Sequence, residues 1–392
     1  MAYRKYKLGD LVEQYDEINL NGEFTDIDDL QGINSNKYFQ ECKSNKNDID
    51  LYRYRICRHR MFSYNRATSR NGEKISIALR TGDDCIVSPS YYCFRVKNEE
   101  VLCPEYLDIW FKRPVFDRYA RFNSWGSATE FFTFDDFCAT EIMLPPIEEQ
   151  REIVHDYQVI TDRIELLKKI NENLEEQEDI IFGDFYSDDS WDEGHFSELI
   201  VGNIPGDWGS DRAEGNKNAQ VTCIRGTDIP GLSVGNTGDA PTRFILQKNY
   251  ISKTLPTNAM IIEISGGSPT QSTGRIALLT DILRNKLNQR VICSNFCKAV
   301  IVKEPYLYFF YLAWRHLYKT NRLFDYENST IGLKNFDYQS FVTQETIKIP
   351  TTDGGTRLND LIEPIRKMIV FNGLEIEKMM KLQATVLPNL MK

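Results

Sequence analysis

An ordered series of short matches, repeated roughly 200 residues apart, constrains this chain more than any other feature of its sequence. Ser90-Tyr91-Tyr92-Cys93 matches Ser294-Asn295-Phe296-Cys297 at an offset of 204, and Lys74-Ile75-Ser76-Ile77-Ala78 matches Arg275-Ile276-Ala277-Leu278-Leu279 at 201. Met61 pairs with Met260, Pro104-Glu105-Tyr106-Leu107 with Pro305-Tyr306-Leu307, and Ile142-Met143-Leu144-Pro145 with Ile347-Lys348-Ile349-Pro350 at 205. Chance explains any one match but not the kept order. The 392 residues, too many for one ordinary core, therefore read as one design used twice.

Each copy closes on a helical pattern. After Pro145-Pro146, apolar residues recur at Ile153, Tyr157, Ile160, Ile164, Leu167, Leu174 and Ile181, with Asn171 and Glu178 as polar exceptions. After Pro350 the same spacing gives Leu358, Leu361, Ile365, Met368, Met379, Leu382 and Val386, with Asn372 and Glu375 polar. Steps of three and four mark a coiled-coil seam. The spacing predicts two helices of roughly 30 residues, about 45–50 Å long at 1.5 Å per residue. Neither is stable alone on so narrow a stripe, so they are expected to pair antiparallel. The halves between them read as mixed α and β. Ala259–Ile264 and Cys297–Val302 are strand-like, and Glu105–Arg121 and Tyr306–Leu323 are helix-like with aromatic faces. The expected class is α+β: two similar mixed α/β domains joined by two long helices in an antiparallel coiled coil. The expected boundaries are 1–146, 147–186, 187–350 and 351–392.

Charge is unevenly placed. The chain carries 47 Lys+Arg and 57 Asp+Glu, a net −10. Residues 147–193 hold sixteen acids and four bases, −12, so the remainder is +2. Between Leu51 and Arg80 stand Arg53, Arg55, Arg58, Arg60, Arg66, Arg70, Lys74 and Arg80 against the single acid Glu73. Tyr64, Asn65 and Ser69 are interleaved with them. Arginine offers a planar fork for phosphate or a guanine edge. With no local acids to pair, this stretch reads as a nucleic-acid contact rather than a salt-bridged stripe.

The matching stretch of the second copy is a polar loop containing Ser265, Ser268, Thr270, Gln271, Ser272, Thr273 and Arg275. Its hydroxyls, amide and backbone N–H groups suit phosphates or base edges. It lacks the Gly-Lys-Ser/Thr ending of a nucleotide-binding loop. Two further loops correspond: Ser124, Trp125 and Ser127 in the first copy, Ser329 and Thr330 in the second. Plain turns explain these equally well from sequence.

Other features are blander. Nine irregularly spaced cysteines and no apolar leader suggest reduced thiols in a cytoplasmic protein. Cys293 and Cys297 lack a second ligand pair and read as buried small hydrophobes rather than zinc ligands. The four histidines are scattered. The apolar run Tyr306–Trp314 is too short to span a bilayer.

Ile142-Met143-Leu144-Pro145-Pro146-Ile147-Glu148-Glu149-Gln150-Arg151-Glu152-Ile153 resembles the conserved region of type I restriction-modification specificity subunits: Leu-Pro-Pro, then Glu-Gln, then a long helix. Tyr6-Lys7-Leu8-Gly9-Asp10-Leu11 resembles the opening of such subunits. The second copy departs from the pattern, ending Ile349-Pro350-Thr351-Thr352-Asp353 without the Pro-Pro or Glu-Gln. The resemblance implies two target-recognition domains, each reading one half of a split double-stranded DNA target, with the helices as a ruler. A bar of about 50 Å caps half-site separation near 14 base pairs. It also implies docking of two methyltransferase subunits and of motor-nuclease subunits. S-adenosylmethionine, ATP and Mg would then belong to those partners and no cofactor to this chain.

A catalytic role is the rival class. Leu144-Pro145-Pro146-Ile147 lacks the polar residue and the aromatic of an adenine-methyltransferase motif, and no helicase or nuclease motif is found. A recognition adaptor for another methylation or phage-defence system is the remaining alternative. A purely structural coiled coil leaves the arginine-rich stretch unexplained.

Overall fold

The computed structural model describes residues 3–42, 49–68, 74–126, 129–187, 190–266, 271–330 and 333–390, with backbone alone at 329–330, 333 and 386–390. Two compact units result, residues 1–162 with 381–392, and residues 163–380.

The first unit is built on a four-stranded antiparallel sheet in the order Val12–Gln14, Tyr91–Val96, Phe62–Asn65, Ile77–Leu79. Strand Arg4–Lys7 pairs separately with Glu141–Leu144. The sheet face is covered by aromatic side chains, Phe62, Tyr64, Phe94, Phe111, Phe132 and Phe137, all fully buried. Phe62 and Phe94 stack at 5.0 Å, and Phe94 lies 4.8 Å from Phe137.

The second unit repeats this plan. Its sheet runs Ile200–Pro205, Cys297–Val302, Ala259–Glu263, Ile276–Leu279, and Asp192–His195 pairs with Thr346–Ile349. The strand Ala259–Glu263 is buried at every position; its apolar run Ala259 to Ile262 predicts cover on both faces, and Glu263 at its end is buried in a pair with Arg275. Helix Leu307–Lys319 is buried over its first eight residues, matching an apolar surface all round. The copies diverge in their second sheets. Arg55–Cys57 pairs antiparallel with Cys85–Val87, whereas Lys217–Ile224 pairs parallel with Val291–Cys293. Cys293 and Cys297 are buried core residues.

Two expected helices differ. Glu105–Arg121 is split into Pro104–Phe111 and Pro114–Phe122, because the residue before Pro114 is driven to an extended conformation (Arg113, ψ 135°). Tyr306–Leu323 stops at Lys319, beyond which Asn321 is left-handed (φ 61°) and a short 3-10 turn follows.

The long helices span Ile147–Tyr186 and Thr352–Leu390, 40 and 39 residues, or about 60 Å each, longer than the seam alone predicts. The second passes through Pro364 without a break. Within the second unit they run antiparallel. Asn372 Nδ2 donates to Asn171 Oδ1 at 2.8 Å, Asn171 Nδ2 donates to the Ile369 carbonyl at 3.1 Å, and Arg163 pairs with Glu375 at 3.1 Å. Asn171 and Asn372 hold the same place in the two copies and meet each other across the helix pair, although their hydrogen bonds are not symmetric.

The seam of the second helix is turned relative to expectation. Leu361, Met368 and Leu382 are exposed, while Leu358, Ile362, Arg366, Ile369 and Val370 are buried. The second unit holds this helix by other contacts. Arg366 donates to the Ser233 carbonyl at 2.8 Å, and Glu377 accepts from the Thr237 hydroxyl at 2.7 Å. A Cβ at Gly373 would lie 1.9 Å from the Val234 carbonyl oxygen, so only glycine permits this approach. Glu178, a polar seam position, is fully buried between Arg366 and Arg315 (2.7 Å to the latter).

The missing Glu-Gln of the second copy has a structural replacement. In the first copy, buried Gln150 accepts from the Cys103 N–H (2.9 Å) and donates to the Val101 and Pro145 carbonyls (3.0 and 2.9 Å). In the second, Asn359 accepts from the Tyr308 N–H (3.1 Å) and donates to the Glu304 carbonyl (2.9 Å). Gly355 brings the helix close enough that a Cβ would lie 2.4 Å from the Pro305 carbonyl oxygen.

Candidate nucleic-acid interface

In both units the central sheet strand runs out into a tip made of three short backbone segments. In the first, Phe132 N–H donates to the Arg66 carbonyl (2.9 Å) and Thr68 N–H to the Glu130 carbonyl (3.0 Å). Trp125 and Phe131 exchange both backbone hydrogen bonds (3.1 and 2.9 Å). Ala67, Phe131 and Trp125 therefore form one row across the tip. In the second unit Phe336 N–H donates to the Ile264 carbonyl (3.0 Å), and Ser265, Asn335 and Asn328 form the corresponding row. Phe132 and Phe336, one residue further on, are both buried. The scaffold is shared; the outward residues are not.

The basic stretch of the first unit divides into two groups. Arg53 pairs with Asp50 (3.1 Å), Arg55 with Asp16, Arg58 with Glu17, Glu23 and Asp84, and Arg60 with Glu99 (2.7 Å) and Glu105. The expectation that no acids pair with these arginines is thus corrected: most of the carboxylates arrive from strands and loops distant in sequence. Hydrogen bonds from Arg58 hold the Glu17 carboxyl below its ordinary value. Arg80 lies over the Phe39 ring at 5.2 Å and donates to the Asp83 carbonyl.

Arg66 and Lys74 differ. Arg66 is exposed, lies over Phe131 (5.3 Å) and Tyr92 (6.0 Å), and has no ion pair among the described residues. Lys74 is exposed beside a 340 Å³ cavity shared with Lys37, Lys112, Asp117 and Arg118. Burial lowers the Lys37 ammonium from its ordinary value although Asp117 lies 2.7 Å away. The segment between Arg66 and Lys74 includes Ser69 and Arg70, which fall outside the described residues, as does Ser127.

Tyr64 is fully buried, in contact with Phe137 at 5.3 Å, and burial pushes its phenol far up. It packs the core and is corrected from a contact residue. Asn65 accepts from the Ala67 N–H (3.0 Å), shaping the turn into the tip. Ser124 is buried and donates to the Ala120 carbonyl (2.6 Å), closing a helix, whereas Trp125 is two-thirds exposed (67%).

In the second unit Ser265 bonds Asn335 (2.7 Å) at the tip. Thr273 is fully buried with its hydroxyl on Glu327 (3.0 Å), and Ser272 is buried beneath Tyr318. Arg275 grips buried Glu263 with two bonds (2.8 and 2.6 Å). These three residues hold the tip in place rather than face outward, because loop closure needs their donors and acceptors. Ser268 and Thr270 lie outside the described residues, and the side chains of Ser329 and Thr330 are likewise not described.

Beside this tip opens a cavity of about 730 Å³, lined among others by Trp208, Arg225, Ser265, Gln271, Asn295 and Phe296. Arg225 holds Asp228 by two bonds (3.0 and 2.8 Å), and Phe296 is more than half exposed. Sequence reading missed Trp208, Arg225, Asn295 and Phe296. Asn295 and Phe296 stand inside the repeated Ser-x-x-Cys element, where an aromatic at a turn was the available signal.

No helix among the described residues is long and apolar enough to cross a membrane. The family model for the type I restriction modification DNA specificity domain matches residues 16–176. Among solved structures, the S subunit of a type I restriction-modification system from M. genitalium is similar over 100% of this chain and 96% of its own, at 13% identity and TM-score 0.58. A structure described as the basis of complex assembly and conformational transition of the type I R-M system covers 100% and 98%, at 16% identity and TM-score 0.46. The HsdS subunit from Thermoanaerobacter tengcongensis covers 100% and 96%, at 17% identity and TM-score 0.37. The likeness to the first is one of fold. No curated protein sequence matches the chain.

Proposed function

From the match of residues 16–176 to the type I restriction modification DNA specificity domain, we propose that the chain is a non-catalytic subunit whose two domains each read one half of a split DNA target. One observation carries this reading: the same three-segment tip is built twice, with Ala67, Phe131 and Trp125 on one and Ser265, Asn335 and Asn328 on the other. A duplicated scaffold with different outward side chains is what two different half-sites require.

In this reading Arg66 and Lys74, with Arg70 and Ser69 between them, meet phosphates or bases of the first half-site. Asn65 shapes that turn and Trp125 borders it; Ser127, two residues on in sequence, is assigned to the same contact. The paired Arg53, Arg55, Arg58 and Arg60 set the shape and field of the surface. Ser265, Ser268, Thr270 and Gln271 serve the second half-site, with Ser329, Thr330, Arg225 and Asn295 beside them. The proposed divisions are recognition domains at 1–146 and 187–350 and helices at 147–186 and 351–392. The exposed apolar residues of the long helices, Leu166 and Ile180 on one and Leu361, Met368 and Phe371 on the other, suit docking of two methyltransferase subunits. Motor-nuclease subunits would join through them, and S-adenosylmethionine, ATP and Mg would be bound by those partners. Such a complex works in the cytoplasm, where its DNA is.

Mapping host DNA methylation with and without the gene tests this. Loss of a bipartite methylated motif is expected, and an unchanged methylome overturns the reading. The purified chain alone should neither methylate nor cut DNA. A bipartite motif without restriction of unmodified DNA favours the alternative, an adaptor for another methylation or defence system.

A further inference from the structure

Trp125 and its neighbours pose a physical question that hydrogen-bond readout leaves open. Trp125 is 67% exposed and Phe131, paired with it across the turn, is 36% exposed; Phe122, three residues before Trp125 in sequence, is 80% exposed. Leaving such rings in water forgoes the favourable transfer of their apolar surface. The described residues on either side of the turn that carries Trp125 are nonetheless tied together. The Trp125 backbone is bonded twice to Phe131. Gly126 follows at φ 152°, where a Cβ would lie 2.0 Å from the Thr129 carbonyl oxygen, so the turn admits glycine alone. Arg121 forms an ion pair with Glu130 across the same turn. The ring is held out from a fixed base.

Its surroundings indicate what it meets. Arg66 lies against Phe131 with its charge uncompensated by any ion pair among the described residues. An aromatic face edged by a guanidinium that has no ion pair among the described residues favours a partner that is both flat and anionic. A purely apolar protein surface would have to desolvate that charge. In the second unit the corresponding row is Ser265, Asn335 and Asn328, which has hydrogen-bonding groups and no ring.

We propose that the first tip inserts Trp125, with Phe131 beside it, against the stacked bases of its half-site and partly unstacks one base step, while the second tip reads base edges without unstacking. This rests on the DNA-reading function above. Arg66 then neutralises a phosphate beside the opened step. Wedges of this kind trade base stacking for contact with the protein, so discrimination at the first half-site includes how easily its step opens.

The test uses the full chain and duplexes carrying the motif found by methylation mapping, with 2-aminopurine placed in turn at each purine. Wild type is expected to raise fluorescence at one step of the first half-site and at none of the second. Trp125→Ala should bind about 10- to 100-fold more weakly and lose that rise. Trp125→Phe should retain most of both. Because Trp125 is exposed, all three proteins should melt alike. A Trp125→Ala chain that binds within twofold of wild type and keeps the fluorescence rise overturns the wedge. So does one that keeps DNA binding but loses assembly with partner subunits, which would make the tip a protein contact. Failure of the wild-type chain to bind any such duplex, alone or with partner subunits, overturns the DNA-reading function itself, and the wedge with it.

Discussion

The two tips are the same backbone object with opposite surfaces. Phe132 and Phe336 anchor them identically from below, and the rows Ala67–Phe131–Trp125 and Ser265–Asn335–Asn328 cross them identically above. One row carries two aromatic rings and sits beside Arg66, which has no ion pair among the described residues; the other is polar and sits beside a cavity of about 730 Å³. Buried positions of the scaffold are fixed by packing, which tolerates little change. Outward positions are free of that constraint and can diverge with the sequence being read.

The largest expected effect comes from exchanging residues 1–145 for those of another specificity subunit. If each tip reads its own half-site, methylation mapping will show one half-site replaced and the other kept. A change in both would dissolve the distinction between the tips.

Next in size is the buried charge cluster that supports the second unit. Glu178 is fully buried between Arg366 and Arg315. Glu178→Ala removes their nearest carboxylate and leaves only longer pairs, Arg366 with Glu175 (3.6 Å) and Arg315 with Glu175 and Asp179 (4.0 and 3.8 Å), and should destabilise the second unit by about 2–4 kcal/mol, read as a lower denaturant midpoint. A shift below about 1 kcal/mol would mean that water replaces the carboxylate.

The two helix clamps sharpen the comparison further. Gln150→Ala takes away the partner of one part-buried donor, one part-buried acceptor and one buried acceptor and should cost about 1–2 kcal/mol. Asn359→Ala, at a more open site, should cost less. Equal losses would show that the second copy compensates fully for its missing Glu-Gln.

Smaller still is the difference between free and paired arginines. Arg66→Ala should reduce the salt dependence of DNA binding by about one counterion. Arg58→Ala should lower the melting temperature and leave that slope unchanged. The reverse result would reassign the phosphate contact to the paired group.

The smallest effect is a pH dependence. Arg58 keeps the Glu17 carboxyl below its ordinary value of 4.5. A folded-state value below the unfolded one adds stability above about pH 4.5 that is lost as pH falls through the folded value. Glu17→Gln should flatten the acid-side decline in melting temperature slightly, since the pair is partly exposed to water.

Much of the fold was legible because repetition and periodicity are written in one dimension. The strands Ala259–Glu263 and Cys297–Val302, the duplicated order and the long helices all follow from apolar spacing. The candidate site was legible only in outline. Arg66 was found by composition, but Arg58 and Arg60 were grouped with it, since the carboxylates of Glu17, Asp84, Glu99 and Glu105 lie far away in sequence. Tyr64 and Thr273 looked like contact residues from their neighbours, and burial assigns them to packing and loop closure. Trp208 and Arg225 gave no signal, because the cavity they line exists only after four separate segments meet.

The sequence by itself determined that one domain is used twice, that long helices close each copy, and that acid and base are segregated. These are properties of pattern along the chain, set by the 3.6-residue and two-residue periods of regular structure. Tertiary structure alone decided which face of the second helix is its seam, which arginines are spent on ion pairs, and which side chains stand outward on each tip. Those outcomes depend on distances between residues remote in sequence, through contacts and electrostatic fields that act in space rather than along the backbone.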